Sequence, residues 1–372
     1  MRLLVFADLH LDAPFAWADP EVAQARRRAL RRCLVRICEL AVAQRCDALC
    51  CAGDLFEQDR FTPDTAAFLR DTFAQIHPLP VYLAPGNHDW LGPASLYRQV
   101  EWTDNVHLFE SSALEPVTLA DGFTLWGAAH RAPANTPGFL DGFAVDRGGV
   151  HIALFHGSEQ GELAFQESGK VPHAPFRAAQ IPAAGLHHAL VGHFHTPRDA
   201  AAHTYPGNPE PLAFGETGER AAVVVDVDGS GAVARRRHRV AGTEVHDVTV
   251  GLDGVAHASQ VRDRVAAALA GLTGTARVTL AGEIAPDVDL DVADLHEVAP
   301  HLDAVVTRLG RVNVAYDLDV LASEPTVRGQ FVRDVRDAAD LTDEQRRRVM
   351  VTGLRALAGR RDLEVRRCWY AP

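Results

Sequence analysis

The chain has 372 residues, which suggests two domains and an appended tail, and 47% hydrophobic content excludes global disorder. No apolar run reaches the roughly 20 residues that a membrane helix needs. The formal charge of −12 weighs against a protein that holds nucleic acid unaided, because such proteins carry a broad basic surface.

Predicted elements alternate from the start. RLLVF reads as a buried strand that runs into Ala7 and Asp8. Because that strand begins at Arg2, no leader is expected and the protein is expected in the cytoplasm. Val22, Ala25, Ala29, Cys33, Ile37 and Leu40 then recur at helical spacing, with arginines between them. DALCCAGD is a short apolar strand, and a helix is predicted from Pro63 to Ile76, with proline in its first turn. PVYLAPGNHD, FTLWGAAH, VHIALFHG and HALVGHFH follow as strands, and VVVDVDGSGAVARRR as a hairpin closed by DGSG. Strands alternating with helices argue for an α/β domain over 1–240.

Beyond it the character changes. A strand at VTVGLDG, a helix from Ser259 to Leu272, a strand at ARVTLAGEI and a helix around Asp291 to Ala299 predict a small α+β domain over 241–330. The tail, 331–372, reads as helical and basic, with Thr342 and Gln345 as a capping box and Gly359 as a stop. The arginine clusters read as solvated faces. Cysteines 33, 38, 46, 50, 51 and 368 read as small hydrophobes in a reducing compartment, since the adjacent Cys50 and Cys51 face opposite sides of one strand.

What carries chemistry is how the strands end. They release Asp8-x-His10, Gly53-Asp54, Gly86-Asn87-His88-Asp89, His156-Gly157 and Gly192-His193-x-His195. In open α/β sheets ligands bind beyond the carboxyl ends of strands, so side chains far apart in sequence can converge there. One such dipeptide signifies little; five in this order are not coincidence. Carboxylate and amide oxygens mixed with imidazoles, and no thiolate, suit Mn²⁺, Fe²⁺ or Zn²⁺. Asp8, His10, Asp54, Asn87, His156, His193 and His195 are too many for one ion. With Asp54 bridging they divide between two, and a pair of ions about 3.5–4 Å apart can clamp a phosphate for in-line displacement.

This pattern resembles that of the calcineurin-like metallophosphoesterase family, matched in full over about residues 1–240. The resemblance implies a four-layer α/β/β/α sandwich with a small α+β capping domain and a C-terminal helical tail. It implies one metal on Asp8, His10, Asp54 and His195, and another on Asp54, Asn87, His156 and His193. It makes His88 the residue that stabilises or protonates the leaving oxygen, with Asp89 orienting it. Glu57 departs from the family, which usually carries His or Asp there. His130 is read as a core or rim histidine. Asp12, though in phase with Asp8 and His10, is read as a loop or helix-start residue outside the ligand set.

Tyr205-Pro206-Gly207-Asn208 followed by Phe214-Gly215-Glu216 is similar to the SbcD-like nuclease branch. That branch implies hydrolysis of DNA phosphodiesters in double-strand-break repair with Mn²⁺, an SbcC-like coiled-coil ATPase partner docked through the tail, a homodimer, and substrate contacts from Tyr205, Gly207 and Asn208. Helix 63–76 and the segment PASLYRQVEW are candidates for the dimer contact. A small-molecule phosphodiesterase or phosphatase of the same superfamily is the alternative reading, and a catalytically weak scaffold that recruits an ATPase a third, which intact ligand motifs argue against.

Overall fold

The computed structural model describes residues 1–161, 172–216, 219–288, 290 and 292–359. It divides into two compact units, Met1–Thr243 and Glu244–Pro372. The first contains β1 (Arg2–Phe6), α1 (Pro20–Ala43), β2 (Ala48–Cys51), α2 (Pro63–Ala74), β3 (Val81–Leu83), β4 (Val106–Leu108), β5 (Glu115–Ala120), β6 (Phe123–Gly127), β7 (Val150–His156), α3 (Gln180–Ala183), β8 (His188–Gly192), β9 (Arg198–Asp199), β10 (His203–Tyr205), β11 (Ala221–Val227) and β12 (Val233–Arg239).

These strands form two six-stranded sheets, ordered β12-β11-β1-β2-β3-β4 and β5-β6-β7-β8-β10-β9. β1 to β4 run parallel in the first, and β6 to β8 in the second. The predicted hairpin is β11–β12, paired antiparallel from Ala221↔Arg239 to Val227↔Val233.

The reason β1 is apolar from Leu3 to Phe6 is visible in its alternation. Leu3 and Val5 join Cys50, Leu125, Ile152 and Leu190 in the layer between the sheets, whereas Leu4 and Phe6 join Leu34, Ile37, Leu69 and Phe73 under α1 and α2. A strand covered on both faces needs no polar side. On the outer face of the second sheet, Trp126, Ala153, Phe155 and Val191 pack with Phe139, Phe176, Ile181 and Leu186, the last two on and after α3. The unit is therefore the expected α/β/β/α sandwich. Cys50 lies in the layer between the sheets and Cys51 under the helices, and Cys33, Cys38, Cys46, Cys50 and Cys51 are all buried free thiols.

α1 starts where the sequence can cap it: Asp19 accepts from the amides of Glu21 and Val22, and Pro20 occupies the first turn.

The second unit holds β13 (Val245–Gly251), α4 (Ala258–Leu269), β14 (Thr275–Ile284) and β15 (Ala304–Val314), the three strands parallel in that order. Its core comprises Val250, Val261, Val265, Val278 and Leu280. The helix predicted around 291–299 is a 3₁₀ turn at Ala293–Glu297, and residue 291 lies outside the described residues. α5 (Leu318–Ser323), α6 (Val327–Asp337) and α7 (Asp343–Leu357) then pack through Leu321, Val332, Val335, Met350 and Leu354. The boundary expected at 331 falls inside α6, whose Val332 and Val335 tie it to both neighbouring helices. Thr342 and Gln345 form the predicted capping box of α7, and the tail from 360 onward lies outside the described residues. Among the described residues no helix is long and apolar enough to cross a membrane.

Candidate metal centre

The parallel strands of both sheets deliver their carboxyl ends to one rim. Asp8 and His10 follow β1, Asp54 follows β2, Asn87 and His88 follow β3, His156 ends β7, and His193 and His195 follow β8. The backbone turns sharply to aim them. Asp8, His10, Asp54 and His193 have φ of 55°, 49°, 52° and 112°, a region that non-glycine residues rarely occupy, and such strain gathers at functional sites. Gly53, at φ 91°, is required: a Cβ there would stand 2.7 Å from His156 Nδ1 and 2.8 Å from the Gly86 amide nitrogen.

The convergence is tight. Ligand atoms of Asp8, His10 and His195 lie within 4.8 Å of one another, as do those of Asp8, Asp54 and His156. Asp54 uses one carboxylate oxygen to accept from the His88 amide at 2.8 Å. Its other oxygen stands 3.6 Å from His10 Nε2 and 3.2 Å from His156 Nε2, which is where a carboxylate shared between two ions belongs. His156 Nε2 also lies 3.1 Å from Asn87 Oδ1 and 3.3 Å from His193 Nδ1. One ring nitrogen cannot serve three such partners through a single proton; a cation among them satisfies all of them.

Further features fit metal ions. His10 Nε2 is buried with no hydrogen-bond partner. Asp8 and Asp54 are both inaccessible, and burial raises the Asp8 carboxyl above its ordinary value, so its charged form calls for a compensating cation. Burial opposes ionisation of Asp54 too, but the neighbouring His156 outweighs it and holds that carboxyl well below the ordinary range. Burial, reinforced by His156, takes His193 down to about 2, so that ring is neutral and competent as a ligand.

The remaining ring nitrogens are held from behind. His10 Nδ1 meets Glu57 Oε1 at 2.7 Å, and His195 Nδ1 meets Glu216 Oε1 at 2.9 Å. His156 Nδ1 lies 2.9 Å from the Ala52 carbonyl oxygen. These contacts turn Nε2 of each ring toward the centre.

His88 is half-exposed at the edge of the cluster. Its Nδ1 meets Glu57 Oε2 at 2.9 Å. Burial works against its charge, but the hydrogen bond to Glu57 and the Asp54 charge prevail and lift it to about 9. Glu57 itself is lowered to about 2: burial opposes this, and the hydrogen bonds from His10 and His88 overcome it. Orientation of His88 thus falls to Glu57, the residue where the sequence departs from the family pattern, and the role expected of Asp89 is corrected. The Asp89 carboxylate is spent on the amides of Asp54 at 3.2 Å, Leu55 at 2.7 Å and Gly86 at 2.5 Å, and on the Tyr97 hydroxyl at 2.7 Å. It builds the loops that carry Asp54 and Asn87.

The substrate contacts expected of Tyr205 and Asn208 are also corrected, because both side chains are buried and engaged. The Tyr205 hydroxyl donates to the Gly157 carbonyl at 2.7 Å and accepts from the Glu159 amide at 3.1 Å. Asn208 Nδ2 donates to Glu216 at 2.7 Å and to the Glu210 carbonyl at 3.0 Å, and its amide nitrogen donates to the His195 carbonyl at 3.2 Å. Gly207, at φ 76°, has no room for a Cβ, which would lie 2.7 Å from the His195 carbonyl oxygen. The segment braces His195. His130 is buried, as read: Nε2 meets the His156 carbonyl and Nδ1 the Thr136 hydroxyl, each at 2.8 Å. Asp12 accepts from the Thr65 hydroxyl, joining the loop to α2 and taking no part in the cluster.

Sequence reasoning missed Glu57 and Glu216 as partners of ligands, and His173, whose ring centroid lies 5.4 Å from that of His193. The FGE motif held a signal for Glu216; nothing local marked His173.

A donor set of shared carboxylate, amide oxygen and imidazoles, with an exposed histidine beside it, defines the class: a two-ion phosphoester hydrolase centre. A family model described as calcineurin-like phosphoesterase matches residues 1–197, more than half of the chain, and the chain belongs to that family. No curated protein matches it. Among solved structures it is similar to TT1561 of Thermus thermophilus, at 13% identity over 63% of this chain and 98% of that one, with a TM-score of 0.36.

Proposed function

We propose that this chain hydrolyses DNA phosphodiesters as a dimetal-dependent exo/endonuclease of DNA repair. The observation that carries hydrolysis is the half-exposed His88, oriented by Glu57 and set beside the ligand cluster. What supports DNA is the resemblance of Tyr205–Asn208 and Phe214–Glu216 to the nuclease branch; the same resemblance supports a coiled-coil ATPase partner, a homodimer and a place in the cytoplasm at the nucleoid.

Asp8, His10, Asp54 and His195 would hold one divalent ion, and Asp54, Asn87, His156 and His193 the other, with Mn²⁺ the expected metal and Fe²⁺ or Zn²⁺ suited to the same donors. Such a pair supplies Lewis-acid stabilisation of the phosphoryl group and activates the attacking nucleophile. The protein does the rest. Glu57 fixes the His88 ring through Nδ1, which leaves Nε2 to donate a proton to the leaving oxygen. Glu57 and Glu216 keep two ligand rings in the tautomer that presents Nε2. Asp89 and Gly53 hold the loops that bring Asp54 and Asn87 within reach of both sheets.

The alternative, a small-molecule phosphodiesterase or phosphatase, is favoured by the net charge of −12, which weighs against unaided binding of extended DNA. A substrate panel with Mn²⁺ decides. Degradation of linear DNA supports the nuclease reading. Turnover of cyclic nucleotides or bis-p-nitrophenyl phosphate, with DNA left intact, replaces it by the alternative.

A further inference from the structure

We infer that Trp17 and Phe214 form a stacking platform for the base of an unpaired nucleotide whose phosphodiester lies at the metal centre. This rests on the reading above and deepens it: the substrate is held by a nucleobase as well as by its phosphate.

Two loops bring the rings together. Trp17 follows His10 in the loop between β1 and α1, and Phe214 precedes Glu216 with one glycine, Gly215, between them. The ring centroids are 4.6 Å apart and the planes are inclined at 58°. At that tilt neither ring covers the face of the other. Both rings are partly exposed, and Ala16, Ala213 and Gly215 beside them are small and exposed, so these chain neighbours leave the faces open.

The pair is tied to the metal centre. Trp17 Nε1 donates to the Leu212 carbonyl at 3.2 Å, and the Leu212 amide donates to Glu216 Oε2 at 2.9 Å. The other oxygen of that carboxylate holds His195 Nδ1 at 2.9 Å. From Phe214 to Glu216 the chain spans at most about 7 Å. Arg26 locks the two loops together. Its guanidinium lies 5.5 Å from the Phe15 ring centroid and donates to the Pro211 carbonyl, and Phe15 meets Trp17 in a T-shaped contact at 6.0 Å. Rings fixed in advance lose little freedom when a ligand lies on them.

Packing explains only part of this. Trp17 lies against the layer under α1 and α2, and a single exposed apolar residue would be ordinary. Two partly exposed rings, one of them two hydrogen bonds from the carboxylate behind a metal ligand, give a base a surface while its phosphate is at the ions. Every base has a π-face, so such stacking tolerates any sequence. A base inside a duplex has its faces covered by its neighbours, so the occupant is unpaired.

The test uses the full chain carrying His88→Ala and loaded with Mn²⁺, so that substrate is bound with little turnover. Calorimetric titration is expected to show a short oligothymidylate binding about 10-fold or more tighter than an abasic oligonucleotide of equal length, the scale of one stacked base. Trp17→Leu and Phe214→Leu, which keep apolar bulk but remove a π-face, each shrink that difference. The oligothymidylate also quenches tryptophan fluorescence, and Trp17→Phe removes this quenching against the background of the other four tryptophans while keeping most of the difference in affinity. With Trp17 and Phe214 intact, equal affinities or no measurable binding of the oligothymidylate overturn the inference, whether or not any variant of the pair folds. Quenching that survives Trp17→Phe, or a difference that persists in both leucine variants, overturns it too. Cleavage by the unmodified chain separates the two readings. DNA degraded alongside equal affinities removes the platform alone, and base-dependent affinity with DNA left intact removes the nuclease reading alone.

Discussion

Glu57 and His88 face each other across 2.9 Å, and the second oxygen of that carboxylate holds His10. One side chain therefore orients both a metal ligand and the proton donor. Glu57→Gln keeps the size but replaces one of the two accepting oxygens with a donor. At saturating Mn²⁺ its kcat is expected to fall about 10- to 100-fold, and His88→Ala to lose about 100- to 10,000-fold, the range general-acid catalysis contributes. Bound Mn²⁺ measured on His88→Ala should equal that of the unmodified chain. Depleted metal would make His88 a ligand.

Much of this centre was legible because its ligands sit at the ends of apolar strands, where residue type and order carry the meaning. Asp8, His10, Asp54, Asn87, His156, His193 and His195 meet as the motifs imply. What sequence could not show was which carboxylate lies behind which ring. Asp89, adjacent to His88, is the obvious partner in sequence, yet the turn at Gly86 points its carboxylate back at three backbone amides. Glu57 reaches His88 from a different strand end. The same holds for Tyr205 and Asn208: a polar turn after Gly192-His193-x-His195 reads as surface, but burial is decided by what packs over it. Short strands such as β4, β9 and β10 escaped because three residues or fewer carry no period.

The five described cysteines should be silent toward thiol reagents in the native state. Burial pushes Cys38 up to about 12 and Cys46 up to about 11, and raises Cys33, Cys50 and Cys51 as well. The thiolate is the reactive form, so little is available at pH 8. In a Cys368→Ser variant, 5,5′-dithiobis(2-nitrobenzoate) should react with none of them until urea is added. Because these folded values lie above the unfolded one, about 8.5, the unfolded chain binds fewer protons once pH passes that value. The stabilisation is present below it and is lost as pH rises toward 11 and 12. The urea midpoint should therefore fall between pH 8 and pH 10, and Cys38→Ala should blunt the fall.

Glu210 anchors the end of the first unit. It is 1% exposed, receives the Gly242 amide at 2.8 Å and the Thr243 hydroxyl, and pairs with Arg36 at 3.3 Å. Glu210→Ala strands those donors. Removing one partner of a fully buried charge pair costs about 3–5 kcal/mol; the Arg36 side chain is 34% exposed, so about 2–3 kcal/mol is expected here. Urea denaturation reads this directly, and an unchanged midpoint would show that the carboxylate carries no such load.

Asn208 offers the sharpest separation between a substrate contact and a brace. Its side chain touches no open surface: Nδ2 holds Glu216, which holds His195 Nδ1, and the Asn208 amide holds the His195 carbonyl. If the residue contacted substrate, Asn208→Ala would raise KM at every metal concentration. As a brace it loosens Glu216, so the Mn²⁺ held through His195 should bind about 10-fold more weakly in equilibrium dialysis. Saturating Mn²⁺ should restore kcat, with KM for substrate near that of the unmodified chain. Asn208→Asp places two like charges together at the 2.7 Å contact with Glu216, so it should be worse than alanine by the same measure. A rise in KM that excess metal does not reverse would return Asn208 to the substrate side of the centre.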